Sequence, residues 1–317
     1  MTSSTTQPAA GTETGARSLR RARPRYGEAA IKALLLAAAL VSVATTIGIV
    51  VSLIPPAVGF FQQVDPVEFF TGTEWTPLFA DKKFGVLPLV AATLVITGIA
   101  LLVAIPVGLG AAIYLSEYAR PGVRKVLKPS LEVLAGIPTV VYGFFAMAFI
   151  TPLLQDVLPE AWAPEVRNGL AAGLVMGVMI VPTIASLTED ALSAVPHALR
   201  DGAFALGSGK RTVSVRVVVP AALSGIVAAC VLGISRAVGE TMIVLIAAGA
   251  KPEFTLNPLV EMETMTAFIA RAASGDVPVG SIAYDTIFAV GALLFLATFL
   301  MNLISIRLVR KYREVYE

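Results

Sequence analysis

Six long apolar stretches constrain this 317-residue chain more than any other feature of its sequence. They run approximately from Ile31 to Gly59, Val86 to Leu115, Leu131 to Leu154, Gly169 to Leu187, Val217 to Gly249 and Thr286 to Ile306. A hydrocarbon core about 30 Å thick takes roughly 20 helical residues to cross, and each stretch meets or exceeds that length. The residues are 56% hydrophobic and 15% charged, with a mean hydropathy of +0.80. A soluble domain of this size could not bury so much apolar surface, so the reading is an all-α membrane protein with about six transmembrane helices. The first stretch follows a basic segment but is too long for a signal peptide, and no small-residue cleavage site closes it. It is expected to be a retained helix.

Lysine and arginine in the connections set the expected orientation. Eighteen of them fall on one side: Arg17 to Lys32, Arg120 to Lys128, Arg200 to Arg216 and Arg307 to Arg313. The other side holds five, namely Lys82, Lys83, Arg167, Lys251 and Arg271. The positive-inside bias then places both termini in the cytoplasm, as in a multi-pass protein of the bacterial inner membrane. Residues 1–28 read as a disordered basic tail held near anionic lipid, and residues 29–317 as the transmembrane domain. The outer loop from Gln62 to Gly85 is open to two readings, short structure that touches an extracellular partner or an ordinary solvated loop.

Several residue types exclude chemistry. One cysteine, Cys230, lies in an apolar run, and one histidine, His197, in a loop, so neither a disulfide framework nor a His-rich metal site is available. No Ser-His pair, paired carboxylates or HExxH motif argues for an enzyme. Small residues carry packing information instead: Gly169, Gly173 and Gly177 form one row at helical spacing, and Gly225, Ala229 and Gly233 another. Pro138, between Gly136 and Gly143, is expected to kink the third helix.

The most patterned connection is the interior loop 188–216, TEDALSAVPHALRDGAFALGSGKRTVSVR. Pro196 opens a short helix with Leu199, Ala203, Phe204 and Leu206 on one face, and Gly207 and Gly209 end it. Gly207 to Thr212 imitates a phosphate-binding P-loop, but Phe204 and Arg211 stand where Gly and Ser or Thr are required. Nucleotide chemistry is therefore assigned elsewhere. Asp201-Gly202-Ala203, three residues, Gly207, nine residues, then Val217-Val218-Val219-Pro220 resembles the EAA loop of ABC importer permeases at every spacing. Asp201, Gly202 and the valines depart from the consensus residues. The resemblance implies a type I-like permease architecture, with a coupling helix over roughly Ala198 to Gly209 that docks on an ATPase subunit. Asp201, Gly202, Ala203, Phe204, Leu206 and Gly207 are its coupling residues.

A narrower resemblance lies in LAGIPTVVYGFFA from Leu134, ISRAVGETM from Ile234 and the segment from Met265 to Gly291. These are similar to phosphate-importer permeases, of the PstC type more than its partner type. That likeness implies a heterodimer with a related permease, two ATPase subunits and an external phosphate-binding protein. It implies no cofactor on this chain, with ATP and Mg on the ATPase partner, and no nucleic-acid partner; the remaining contact is membrane lipid.

Arg236 and Glu240 fall inside the fifth apolar stretch, flanked by Ser235 and Thr241. A charge near the bilayer centre costs about 2.5 to 3.5 kcal/mol on insertion scales, so both should face protein or water. At 100° per residue Gly233, Arg236 and Glu240 share an arc of roughly 60° on a continuous helix. Two readings stay open. The pair could be an i, i+4 ion pair that only locks helices together. Alternatively Arg236 is the oxyanion contact on a substrate path with Ser235 and Thr241, its guanidinium matching phosphate, and Glu240 orients it and accepts a hydrogen bond from a protonated phosphate oxygen, a proton that sulfate lacks. Tyr142, Thr139 and Thr183 are weaker candidates for the path. A sulfate or molybdate permease keeps the same architecture, and an ion-coupled transporter would need internal repeats and more buried charge than this chain offers.

Overall fold

The computed structural model describes residues 26–311 of the chain. The expected tail therefore lies almost wholly outside the described residues, whose first helix opens at Tyr26. Thirteen α-helices and no strands occur among the described residues, joined in places by single turns of π-helix. Five are long and apolar enough to span a membrane: Ala30–Phe61, Leu87–Tyr118, Thr139–Val157, Gly169–Ser193 and Ile282–Arg307. A sixth span results if Lys210–Ala221 and Leu223–Val238, bent by 72°, count as one.

The chain divides into two compact units, residues 1–51 and 52–317. The first contributes most of helix α1 (Tyr26–Phe61), whose apolar side chains from Ile31 to Ile49 are exposed, as a lipid-facing helix requires. In the second unit α7 (Gly169–Ser193) is the central element, with 67% of its most apolar window buried against 17% for α13 (Ile282–Lys311). The two glycine rows explain its position. A Cβ on Gly177 would lie 2.8 Å from the Ala100 carbonyl, and one on Gly173 would lie 2.8 Å from Ile99 Cβ, both on α3 (Leu87–Ile113). On the other flank Gly225 meets Ala191, and Gly233 meets Ile184, so α11 (Leu223–Val238) packs on α7 through the second row. Backbone approach of this kind maximises dispersion contacts where lipid offers no hydrophobic drive.

Two expected spans are corrected. The third stretch is not one helix from Leu131. Helix α4 (Pro121–Ala135) stops at Gly136, and α5 (Thr139–Phe145) starts a new direction that runs on through a π-turn at Ala146–Ile150 into α6 (Thr151–Val157). Pro138 has no N–H and disfavours helix at Ile137, so the break is complete where a kink was expected. The fifth stretch is likewise discontinuous. Pro220 removes a backbone donor where α9 (Lys210–Val213), a π-turn (Ser214–Val218) and α10 (Val219–Ala221) give way to the 72° bend. A second break falls at Gly239–Thr241, before a π-turn at Val244–Ala248.

The outer loop does form short structure. Helix α2 (Pro66–Thr71) is capped by Asp65, whose carboxylate accepts from Val67 N at 2.8 Å. Phe60, Phe69, Trp75 and Phe84 form a buried aromatic cluster with Phe268 of α12 (Met265–Ser274). The backbones of Gly72 and Gly85 touch, and a Cβ on either would collide with the other.

Candidate functional site

Arg236 lies in the last turn of α11, one turn beyond Gly233. Both residues face α7: Gly233 abuts Ile184, and Arg236 Nη1 donates to Thr183 Oγ1 at 3.0 Å. The Tyr142 hydroxyl of α5 donates to Leu134 O at 2.9 Å across the Gly136–Pro138 break. Of the weaker path candidates, Thr183 is the one bonded to the arginine. The expected arc holds for Gly233 and Arg236, but the helix ends before Glu240.

Glu240 has a different setting. Its Oε1 accepts from Met242 N at 3.1 Å and Ile243 N at 3.2 Å, satisfying amides that the break would otherwise orphan. Its carbonyl accepts from Thr266 Oγ1 at 2.6 Å, which ties the break to α12. Among the described residues no ion pair joins Glu240 to Arg236. Ser235 points to α13, donating to Asn302 Oδ1 at 3.2 Å, and Thr241 bonds locally to Gly239 O. Of the four predicted path residues, the structure keeps Arg236 beside α7 and puts Glu240 and Thr241 in the break. Ser235 is turned toward α13. Beyond the break Gly143 of α5 packs on Ile246, where a Cβ would sit at 3.1 Å. Helices α5 and α7 and the π-turn at Val244–Ala248 therefore pack against one another.

The loop 188–216 is shorter than expected, because α7 continues to Ser193 before the chain turns at Pro196. Helix α8 (His197–Ala205) buries none of its residues. It ends in a Schellman arrangement: Gly207 N donates to Phe204 O at 2.9 Å and Ser208 N to Ala203 O at 3.1 Å. Gly207, at φ +78°, supplies the left-handed residue that this ending needs. Asp201 and Gly202 are exposed, Ala203 packs partly inward, and Phe204 and Leu206 stand open to solvent, Leu206 at 88%. Two large apolar side chains are thus left exposed at the end of a short helix.

A charge cluster that the sequence reading did not single out joins α4 to α7. Glu189, fully buried, is paired with Arg124 and with Lys128, the latter at 2.7 Å, and accepts from Ser193 Oγ. Lys128 also reaches Asp190 at 2.6 Å. The hydrogen bond to Asp190, then that to Glu189, raise the Lys128 pKa above its usual 10.5. Its contribution is thus complete below that value and lost only as pH climbs through the raised one. Replacing Glu189 by glutamine is expected to speed amide exchange over residues 121–135 by about tenfold, the partners being partly exposed, while α7 stays protected. Hydrogen-exchange mass spectrometry checks this. Unchanged exchange in α4 would show the cluster holds nothing.

The comparisons decide the family. Residues 104–313 match the model for the binding-protein-dependent transport system inner membrane component. The chain belongs to that family. A probable ABC transporter permease protein, YqgH of Bacillus subtilis, is 34% identical over 88% of this chain and 89% of its own length. The phosphate transport system permease protein PstC of Xylella fastidiosa is 34% identical over 78% of this chain and 82% of its own. PstC 1 of Mycobacterium tuberculosis is also 34% identical, over 78% and 83%. Among solved structures, a bacterial importer of the polysaccharide alginate aligns over 92% of this chain and all of its own, with a TM-score of 0.61 and 16% identity. The inward-facing MetNI methionine transporter aligns over 73% and 95%, with a TM-score of 0.53 and 19% identity. At such identities these likenesses establish the fold alone. The permease is thus a multi-pass inner-membrane subunit of an ABC importer.

Proposed function

We propose that the permease forms half of the pore of an ATP-driven phosphate importer, with both termini in the cytoplasm. In this reading a related permease completes the pore, two ATPase subunits dock on the α8 surfaces, and an external phosphate-binding protein delivers cargo. ATP and Mg reside on the ATPases. Closure of the ATPase dimer moves α8, and the spans alternate between inward-facing and outward-facing arrangements.

The observation that carries the cargo is the state of Arg236. It is half-buried, anchored by a neutral hydroxyl, and has no carboxylate within ion-pair distance among the described residues. A cation held this way has electrostatic demand for an anion, and a guanidinium fork suits a tetrahedral oxyanion. The PstC names of the relatives favour phosphate among such anions. In this reading Glu240, at the break, accepts a hydrogen bond from a protonated phosphate oxygen, whereas sulfate has no such proton to offer.

The test is uptake by vesicles carrying the permease with its transporter partners, with and without ATP, in competition with sulfate and molybdate. ATP-dependent phosphate uptake that resists both competitors supports the reading. ATP-dependent uptake of a different anion would discard the cargo, and uptake indifferent to ATP would discard the importer mechanism.

A further inference from the structure

Helix α8 is exposed on almost every side, yet one of its side chains turns inward. Arg200 has only 12% of its side chain accessible. Its Nε and Nη2 donate to Glu117 Oε1 at 3.3 and 2.9 Å, and Glu117 is 8% accessible. Nη1 donates to Val195 O at 2.5 Å, and Nη2 also to Leu192 O at 2.8 Å. Those two carbonyls lie at the C-terminal end of α7 and in the turn after it, where helical partners run out and a cation is favoured. Glu117 occupies the π-turn Tyr114–Tyr118 that closes the span of α3. One guanidinium therefore ties together α8, the end of α7 and the end of α3.

We infer that Arg200, with Glu117 as its anchor, is the positioning residue that transmits movement of α8 to the spans; this rests on the function proposed above. Glycine-row contacts make α3 and α7 a closely packed pair. Elements packed this tightly respond as a unit, not by continuous deformation. A displacement of α8 must either break a nearly buried charged pair and two hydrogen bonds or carry α3 and α7 with it. Lysine can substitute only in part, because three acceptors in different directions call for the planar fork. From α7 the displacement reaches α4 through Glu189, Arg124 and Lys128. Helix α4 leads through Gly136–Pro138 into α5, which packs on α7 and on the π-turn beyond α11. Phe204 and Leu206, both exposed, provide contact with a partner, whereas Arg200, nearly buried, provides the linkage.

The experiment uses the complete reconstituted transporter in vesicles, with phosphate as cargo and the binding protein added. Phosphate taken up and ATP hydrolysed are measured together, and co-purification of the ATPases reports docking. For Arg200→Ala, phosphate moved per ATP is expected to fall about tenfold or more while the ATPases still co-purify, the loss of a coupling free energy. Arg200→Lys and Glu117→Gln, milder changes that spare the fold, are expected to lower the same ratio less. A ratio unchanged in Arg200→Ala would overturn the inference. So would uptake and hydrolysis that fall strictly in step with lost ATPase co-purification, because Arg200 would then serve docking. Absence of ATP-driven uptake in the wild-type complex would instead overturn the proposed function itself, and the inference with it.

Discussion

Phosphate uptake at limiting phosphate is expected to fall about 10- to 100-fold when Arg236 is replaced by alanine, since hydrogen bonds to a charged group contribute about 1.5 to 3 kcal/mol. Lysine at this position should recover part of the loss, keeping the charge but not the fork. Thr183→Val should cost less, because it removes only the hydroxyl that steadies the guanidinium. Initial rates in vesicles over a range of phosphate concentrations separate weaker binding from slower turnover. If Arg236→Ala transports within twofold of wild type, the arginine only packs helices, and the anion path must be sought elsewhere.

The second large effect concerns stability. In Gly177→Val the new Cβ would sit 2.8 Å from the Ala100 carbonyl and 2.9 Å from Val103 Cβ. The carbonyl is backbone and cannot swing aside, so α3 must separate from α7. Overpacking of this kind costs about 1 to 3 kcal/mol, and a β-branched residue against backbone belongs at the upper end. Gly98→Ala on α3 is the matched control, since nothing lies within 4 Å of its Cβ. Thermal aggregation of purified protein in detergent should show a clear drop for Gly177→Val and none for Gly98→Ala. Equal midpoints would mean that the close approach carries no energy.

The spans, the glycine rows and the short helix after Pro196 were legible because each rests on a local, periodic signal. Hydropathy marks what lipid tolerates, and small residues at a spacing of four mark where backbones meet. The breaks were harder to read. Hydropathy is blind to Gly136-Ile137-Pro138 and to Gly239-Glu240-Thr241, because the flanking residues are equally apolar. In a membrane such breaks survive only where other groups satisfy the freed backbone, as Glu240 and Tyr142 do here. Arg236 was legible as an isolated charge in an apolar run, yet its partner Thr183 comes from another helix, a relation no spacing encodes. Arg200 and Glu117 were hidden for the same reason, being 83 residues apart in sequence. Read alone, Arg200 was one more basic residue of the interior side.

The contact of Gly72 with Gly85 works as a clip at the neck of a loop. Below the neck Phe69 and Val86 are joined by a backbone hydrogen bond of 2.9 Å, and above it Trp75 and Phe84 pair across the loop. The tip from Leu78 to Lys83 is exposed. With its ends already held together, added chain at the tip incurs little further closure entropy, about 0.6 kcal/mol for each doubling of length. That tip is where an epitope or a fluorescent reporter can be grafted without disturbing the helices beneath, and where sequence length is free to drift.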